Sequence, residues 1–139
     1  MQVRGFAVKY APINGQEMKK LPFEFVLEAL ARAHPRTRPM FGCHGIYVGE
    51  KIVLMPRKRA DGPEDNGVWI ATVHGHHASL KKELPSLRSI RLFGSAATVW
   101  QNLPSDAVDF EESAIKACEL ILKGDPRIGK VPKPRAKKK

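Results

Sequence analysis

Phe23, Val26, Leu27, Leu30 and Ala31 fall three and four positions apart, the spacing that lines one side of an α-helix. The pattern predicts a helix over residues 22–33. Pro22 suits its first position, where a missing N–H is no loss, and His34-Pro35 ends it, because the residue before a proline avoids helical backbone. Three strands are expected next. The first covers about 40–48, an apolar run notched by Gly42 and Gly45. Gly49-Glu50 is a Gly-X link that suits a type II′ hairpin. The second strand, 51–55, alternates, with Ile52 and Leu54 on one face and Val53 and Met55 on the other. Residues 56–67 are polar and rich in backbone breakers, and read as a loop. The third strand is 68–73.

A short helix over 77–84 follows, stopped before Pro85. Residues 88–93 and 97–103 read as a hairpin turning at Gly94-Ser95, with Pro104 ending its second strand. The last helix begins at Asp109, where an acidic variant of the capping box with Glu112 is expected. Phe110, Ala114, Ala117, Cys118 and Ile121 line one side of it, Gly124 suits its C-terminal cap, and Pro126 prevents its continuation. The order α-β-β-β-α-β-β-α predicts an α+β domain: an antiparallel five-stranded sheet with helices on one face. Residues 21–125 form this domain. Residues 1–20 carry only weak alternation, broken by Pro12, Asn14 and Gly15, and read as an N-terminal arm or an extra edge strand.

Charge adds a third region. The 139 residues carry a net charge of +10. Seven cations, Arg127, Lys130, Lys133, Arg135, Lys137, Lys138 and Lys139, lie past residue 125 with no carboxylate among them. Without them, 17 Lys and Arg stand against 14 Asp and Glu. Residues 126–139 therefore read as a disordered basic tail, since Pro132, Pro134 and the lack of aromatics oppose packing. No apolar run approaches the roughly 20 residues that span a bilayer, and no signal core opens the chain. A cytoplasmic protein without a membrane partner is expected, and its two cysteines, Cys43 and Cys118, are expected to be free thiols.

The segment Arg38-x-Met40-Phe41-Gly42-x-x-Gly45-Ile46-Tyr47 resembles the Arg-x-Met-Phe-Gly-Gly-Tyr-Gly-Leu/Ile-Tyr signature of the TfoX N-terminal domain, or Sxy-like, family. Val99-Trp100-Gln101-Asn102-Leu103-Pro104 is similar to that family's Tyr-Trp-Glu-Val/Leu-Pro segment. The likeness covers about residues 21–123. It departs at Cys43-His44, at Gln101 and in the longer polar loop around 57–67. The resemblance implies the α-β(3)-α-β(2)-α order, related to the YjbR-like and secretion-chaperone-like architecture. It also implies a regulator of competence-gene transcription working with the cyclic-AMP receptor protein. Members usually carry a second, helical domain, for which this chain has no room, so it reads as a stand-alone domain.

Reactive chemistry finds little support in the residues. Gly42 and Gly45 precede a strand, whereas a phosphate loop needs glycines before a helix with a Lys and a hydroxyl; a bulge or a close helix-on-sheet approach explains them. His74, His76 and His77, with Cys43-His44, supply metal-type donors, but in none of the spacings that build a zinc site. Cys43 beside His44 is no dyad, because strand neighbours face opposite ways. No catalytic residue, cofactor or metal is assigned. The aromatics Phe41, Tyr47, Trp69, Phe93 and Trp100 read as core. The expectation is a non-enzymatic regulatory or accessory module whose tail makes nonspecific, salt-dependent nucleic-acid contacts. Arg57-Lys58-Arg59 and Lys81-Lys82 are candidates to extend that surface. The alternative is a protein-interaction adaptor, with a dimer or an exposed apolar patch on the uncovered sheet face.

Overall fold

The computed structural model of the chain describes residues 21–91 and 100–131. Among them are three α-helices and six strands, in the order α1 (Phe25–Ala29), β1 (Arg36–Met40), β2 (Cys43–Val48), β3 (Lys51–Arg57), β4 (Gly67–Ala71), α2 (His77–Glu83), β5 (Arg88–Ser89), β6 (Trp100–Pro104) and α3 (Phe110–Leu122). The strands form one antiparallel sheet in the order β1-β2-β3-β4-β6-β5. The α+β class and the antiparallel sheet are as the pattern predicts, but the sheet has six strands, not five. The extra strand is β1. Its residues Arg36, Thr37, Arg38 and Pro39 are exposed, so no apolar run marks it. The turn Phe41-Gly42 then divides the expected strand 40–48 between β1 and β2. The arm 1–20 and part of the 88–103 hairpin, residues 92–99, lie outside the described residues.

Register explains a second difference. Ile46 pairs with Leu54, but Tyr47 pairs with Ile52, which leaves Val53 as the extra residue of a bulge. The bulge reverses the expected alternation: Val53 joins Leu54 in one apolar cluster, and Ile52 joins Met55 in the other. The bulge sits here, not at Gly42 or Gly45. Gly45 instead makes room for a side chain, since a Cβ there would lie 2.8 Å from Ile52 Cδ1. At the Gly49-Glu50 link only Gly49 has positive φ (+62), as a II′ turn requires.

The larger cluster joins Ile46, Leu54, Val68, Ile70 and Leu103 of the sheet to Val26 and Leu30 of α1, Leu80 of α2 and the apolar side of α3. The second cluster, Tyr47, Ile52, Met55, Trp69, Ala71, Ile90 and Trp100, contains no residue from the three helices. Its aromatics are nonetheless buried, Trp69 to 1% exposure and Trp100 to 7%, with their rings 5.8 Å apart.

The first helix differs from expectation at both ends, its α-helical part stopping at Ala29 before a 3-10 turn over Ala31–Ala33, and the last lacks its expected side-chain cap. Phe23 has φ +55, outside helical backbone, and its ring packs at 5.0 Å on Phe110, so α1 starts at Phe25. Asp109 precedes α3 but caps nothing with its side chain. Its carboxylate accepts instead from the hydroxyls of Ser86 (2.5 Å) and Ser113 (3.1 Å). The C-terminal end of α3 follows expectation: Gly124 (φ +77) donates to Ile121 O at 2.9 Å and Asp125 to Leu120 O at 3.0 Å.

The domain does not end at residue 125. Ile128 is buried in the larger cluster. Gly129 N donates to Ala71 O (2.7 Å), Lys130 exchanges both backbone bonds with Ile52 (2.9 and 3.0 Å), and Thr72 Oγ1 donates to Arg127 O (2.7 Å). Residues 127–130 thus fill the gap where β3 and β4 diverge, and their backbone polar groups find partners there.

Candidate nucleic-acid interface

Strand alternation puts Arg36, Arg38 and Met40 of β1 on the sheet face that carries Tyr47. Tyr47 stands opposite Arg36, and both guanidinium groups lie over its ring, Arg36 at 5.9 Å and Arg38 at 5.5 Å from the centroid. Arg36 also donates to Gly49 O at 2.6 Å. The ring is 6% exposed beneath them. Cation–π contact of this kind contributes about 0.5–1 kcal/mol at an exposed site and holds each cation extended along the strand. No carboxylate among the described residues lies within ion-pair distance of either arginine.

The polar segment after β3 brings more charge to the other end of the same hairpin. Arg59 Nη1 donates to Gly42 O at 3.3 Å, and its Nε pairs with Asp61 at 3.0 Å. Lys58 beside it is exposed. Arg57 is different: it is buried, and its guanidinium donates to Asp61 O (2.8 Å), Gly62 O (2.8 Å) and Asn66 Oδ1 (3.0 Å). It therefore organises the loop rather than serving the surface, and its charge lies 6.0 Å from the Trp69 ring. Asn66 completes the brace, accepting from Arg59 N and donating to Arg59 O.

Cys43 sits inside this arginine group, half-buried. Burial pushes its thiol up, against the opposing pull of Arg57 and Arg59. Cys118 is buried in the core, and desolvation pushes it up to about 12. Neither is set up as a thiolate nucleophile.

The structure redistributes the expected tail cations. Arg127 belongs to an ion-pair network, with Nη2 at 2.6 Å from Asp125 and 2.5 Å from Glu83, and Nη1 reaching Ser79. Lys130 is bridged to Ile52 through its backbone. Lys133, Arg135, Lys137, Lys138 and Lys139 lie outside the described residues. Arg36, Tyr47, Ile52 and Lys130 form a continuous row across neighbouring chains of the sheet. Lys130, one residue before the described residues end at Val131, therefore stands three strand spacings, about 4.8 Å each, from Arg36.

Other expected donors are placed elsewhere or spent. Lys81 donates to Pro85 O and Leu87 O and so closes the end of α2. His74 and His77 meet edge to face at 5.2 Å. Among the described residues no group of three or more His, Cys, Asp or Glu converges as a metal site would require. Trp100 packs on Trp69, and Pro104 pairs with Gly67 in the ladder. A depression of about 440 Å³ on the outer side of α3, lined by Glu111, Glu112, Ile115, Lys116 and Glu119, is wide open and mostly acidic.

The contribution of Arg36 was not singled out from sequence. The Arg-x-Arg alternation of residues 36 and 38 is its signal, visible once 36–40 is read as a strand. Scans of this chain against protein-family models, curated proteins and solved structures find no match.

Proposed function

We propose that this chain is a non-enzymatic binding module that contacts nucleic-acid phosphates through the β1 arginines, with the cations after Val131 extending the contact. The observation that carries the reading is the pair of β1 arginines, Arg36 and Arg38, which have no ion-pair partner among the described residues, with Arg36 in one row with Tyr47, Ile52 and Lys130, shortly before five further cations in the sequence. Each neutralised phosphate releases counterions, so such a surface binds without regard to sequence and weakens steeply with salt. The likeness of Arg38–Tyr47 and Trp100–Pro104 to TfoX N-terminal domains favours a regulatory or accessory role in transcription, in the cytoplasm, for this binding. Among the described residues no helix is long and apolar enough to cross a membrane.

The test is a fluorescence-anisotropy titration of a DNA duplex over a range of salt concentrations. Three proteins are compared: the full chain, a chain ending at Val131, and the double variant Arg36→Ala/Arg38→Ala. The double variant is expected to lower the log–log salt slope by about 1.8, two contacts at roughly 0.9 each, and the shortened chain to lower it further. No binding at low salt, or a slope unaffected by both changes, would refute the proposal.

A further inference from the structure

Tyr47 is the residue on which the two β1 arginines converge. It stands directly opposite Arg36, while Gly45, without a side chain, stands opposite Arg38. No side chain of β2 therefore meets Arg38 head-on, and the ring it finds is the diagonal one, which a long side chain can reach. Both guanidinium carbons accordingly lie over Tyr47, at 5.9 and 5.5 Å from its centroid. Arg36 has a second anchor in Gly49 O, whereas Arg38 rests on the ring. The ring itself is fixed. Ile52 is its partner on β3 and fills the place over Gly45, where a Cβ would lie 2.8 Å from Ile52 Cδ1, and Tyr47 is buried in the second apolar cluster.

Two like charges on exposed side chains, with no carboxylate in ion-pair distance of either, would spread apart in water. The negative face of the ring draws both inward instead. That contact removes beforehand some of the rotamer freedom that an arginine otherwise loses on binding. Alternation sets the two side chains about 7 Å apart along β1, so each can meet its own phosphate. We infer that Tyr47 is the positioning residue of the phosphate site: it touches no ligand, and acts by holding Arg36 and Arg38 ready on one platform. This rests on the phosphate-binding reading above and deepens it by naming a residue that sets the site's affinity without adding charge to it.

The experiment titrates a labelled DNA duplex by anisotropy over a range of salt concentrations, with full chains throughout. Tyr47→Phe and Tyr47→Leu are measured in the wild-type chain and again in the Arg36→Ala/Arg38→Ala background. Tyr47→Leu is expected to weaken binding roughly tenfold at every salt concentration, because two long side chains must then be ordered on binding. Its log–log salt slope is expected to match wild type, since both charges remain. Tyr47→Phe, which keeps the ring, is expected to bind within about twofold of wild type. In the arginine-free background Tyr47→Leu is expected to change affinity less than about twofold, since nothing is left to position. Urea unfolding of each variant shows which are folded. Arg36→Lys/Arg38→Lys supplies a probe that leaves the ring in place: it keeps both charges and the slope but not the planar group that stacks, and a severalfold loss of affinity is expected.

Unchanged affinity in a folded Tyr47→Leu or in the double lysine variant would overturn the inference while leaving the phosphate-binding reading in place. So would a loss in Tyr47→Phe as large as in Tyr47→Leu, or a Tyr47→Leu loss of equal size with and without the arginines, the mark of a merely structural role. A wild-type chain that fails to bind at low salt, or a slope that Arg36→Ala/Arg38→Ala leaves untouched, defeats the reading on which the inference rests.

Discussion

At the scale of single residues, the tightest constraint is Gly67, where β4 starts. Its φ is +149, and a Cβ there would lie 2.1 Å from the backbone oxygen of Leu103 and 2.6 Å from Asn102 Oδ1. Backbone cannot swing aside as a flexible side chain does, so β4 and β6 would have to part. Gly67→Ala is expected to cost about 3 kcal/mol or more, combining strain at a disfavoured angle with a broken strand pair. Gly49 is the control. Its φ is +62, but nothing lies within 4 Å of a built Cβ. Gly49→Ala is expected to cost only about 1 kcal/mol, the strain alone. Urea midpoints of the two variants check the difference, and equal costs would show that close approach does not matter at Gly67. The same site accounts for the placement of buried Asn102, whose Oδ1 has no hydrogen-bond partner among the described residues: its amide donates to Asn66 O at 3.4 Å while the oxygen faces the space that Gly67 leaves open.

At the scale of elements, the segment after α3 decides where the domain stops. Gly124 and Pro126 are stop signals, and a run of cations follows, so the local sequence reads as a tail. What overrides that reading is non-local: one buried isoleucine and a set of backbone bonds to strands far earlier in the chain. Ending the chain at Asp125 would remove Ile128, whose burial contributes about 1.5–3 kcal/mol, and would leave Ala71 O and both polar groups of Ile52 without partners. Each lost bond adds about 1 kcal/mol. The shorter chain is therefore expected to unfold at markedly lower urea, whereas a chain ending at Val131 should keep the wild-type midpoint. Equal midpoints would mean that the segment packs on the sheet without supporting it. The polar loop after β3 shows the same logic. Asp65 is buried, accepts Arg91 N on both carboxylate oxygens (3.0 Å) and pairs with Arg88 at 3.5 Å, while its backbone oxygen accepts from the Trp69 indole at 2.8 Å. Arg88 also donates to Glu64 O. A stretch of breakers that reads as loop is in fact a brace between β3, β4 and β5.

At the scale of the whole molecule, the α+β class and the antiparallel sheet were legible because apolar periodicity is local. Phe110, Ala114, Ala117, Cys118 and Ile121 on the buried side of α3 were read from their spacing, while buried Ser113 and Leu120 were not. The exposed strand β1 and the bulge at Val53 were not legible, since one lacks an apolar signature and the other depends on pairing. The arginine row was half legible: Arg38, Tyr47 and the Arg57–Arg59 segment stood out, but their meeting is a product of strand order. The Arg127 network binds these levels together. It joins Glu83 and Ser79 of α2 to the segment that completes the sheet. Hydrogen bonds from the Arg127 side chain outweigh desolvation and hold the Asp125 carboxyl at about 2, below its ordinary 3.8. Asp61 and Asp109 are lowered as well, chiefly by bonds from Arg59 and Ser86. A carboxyl with a lowered folded pKa binds its proton more readily in the unfolded chain, so folding stability rises with pH across that interval. The contribution of Asp125 is complete above 3.8 and is lost as pH falls toward about 2. Asp125→Asn is accordingly expected to lower the urea midpoint at neutral pH and to flatten its decline through the acid window. Should the variant and wild type decline in parallel from neutral to acid pH, the Arg127 network would not be what couples α2 to the sheet.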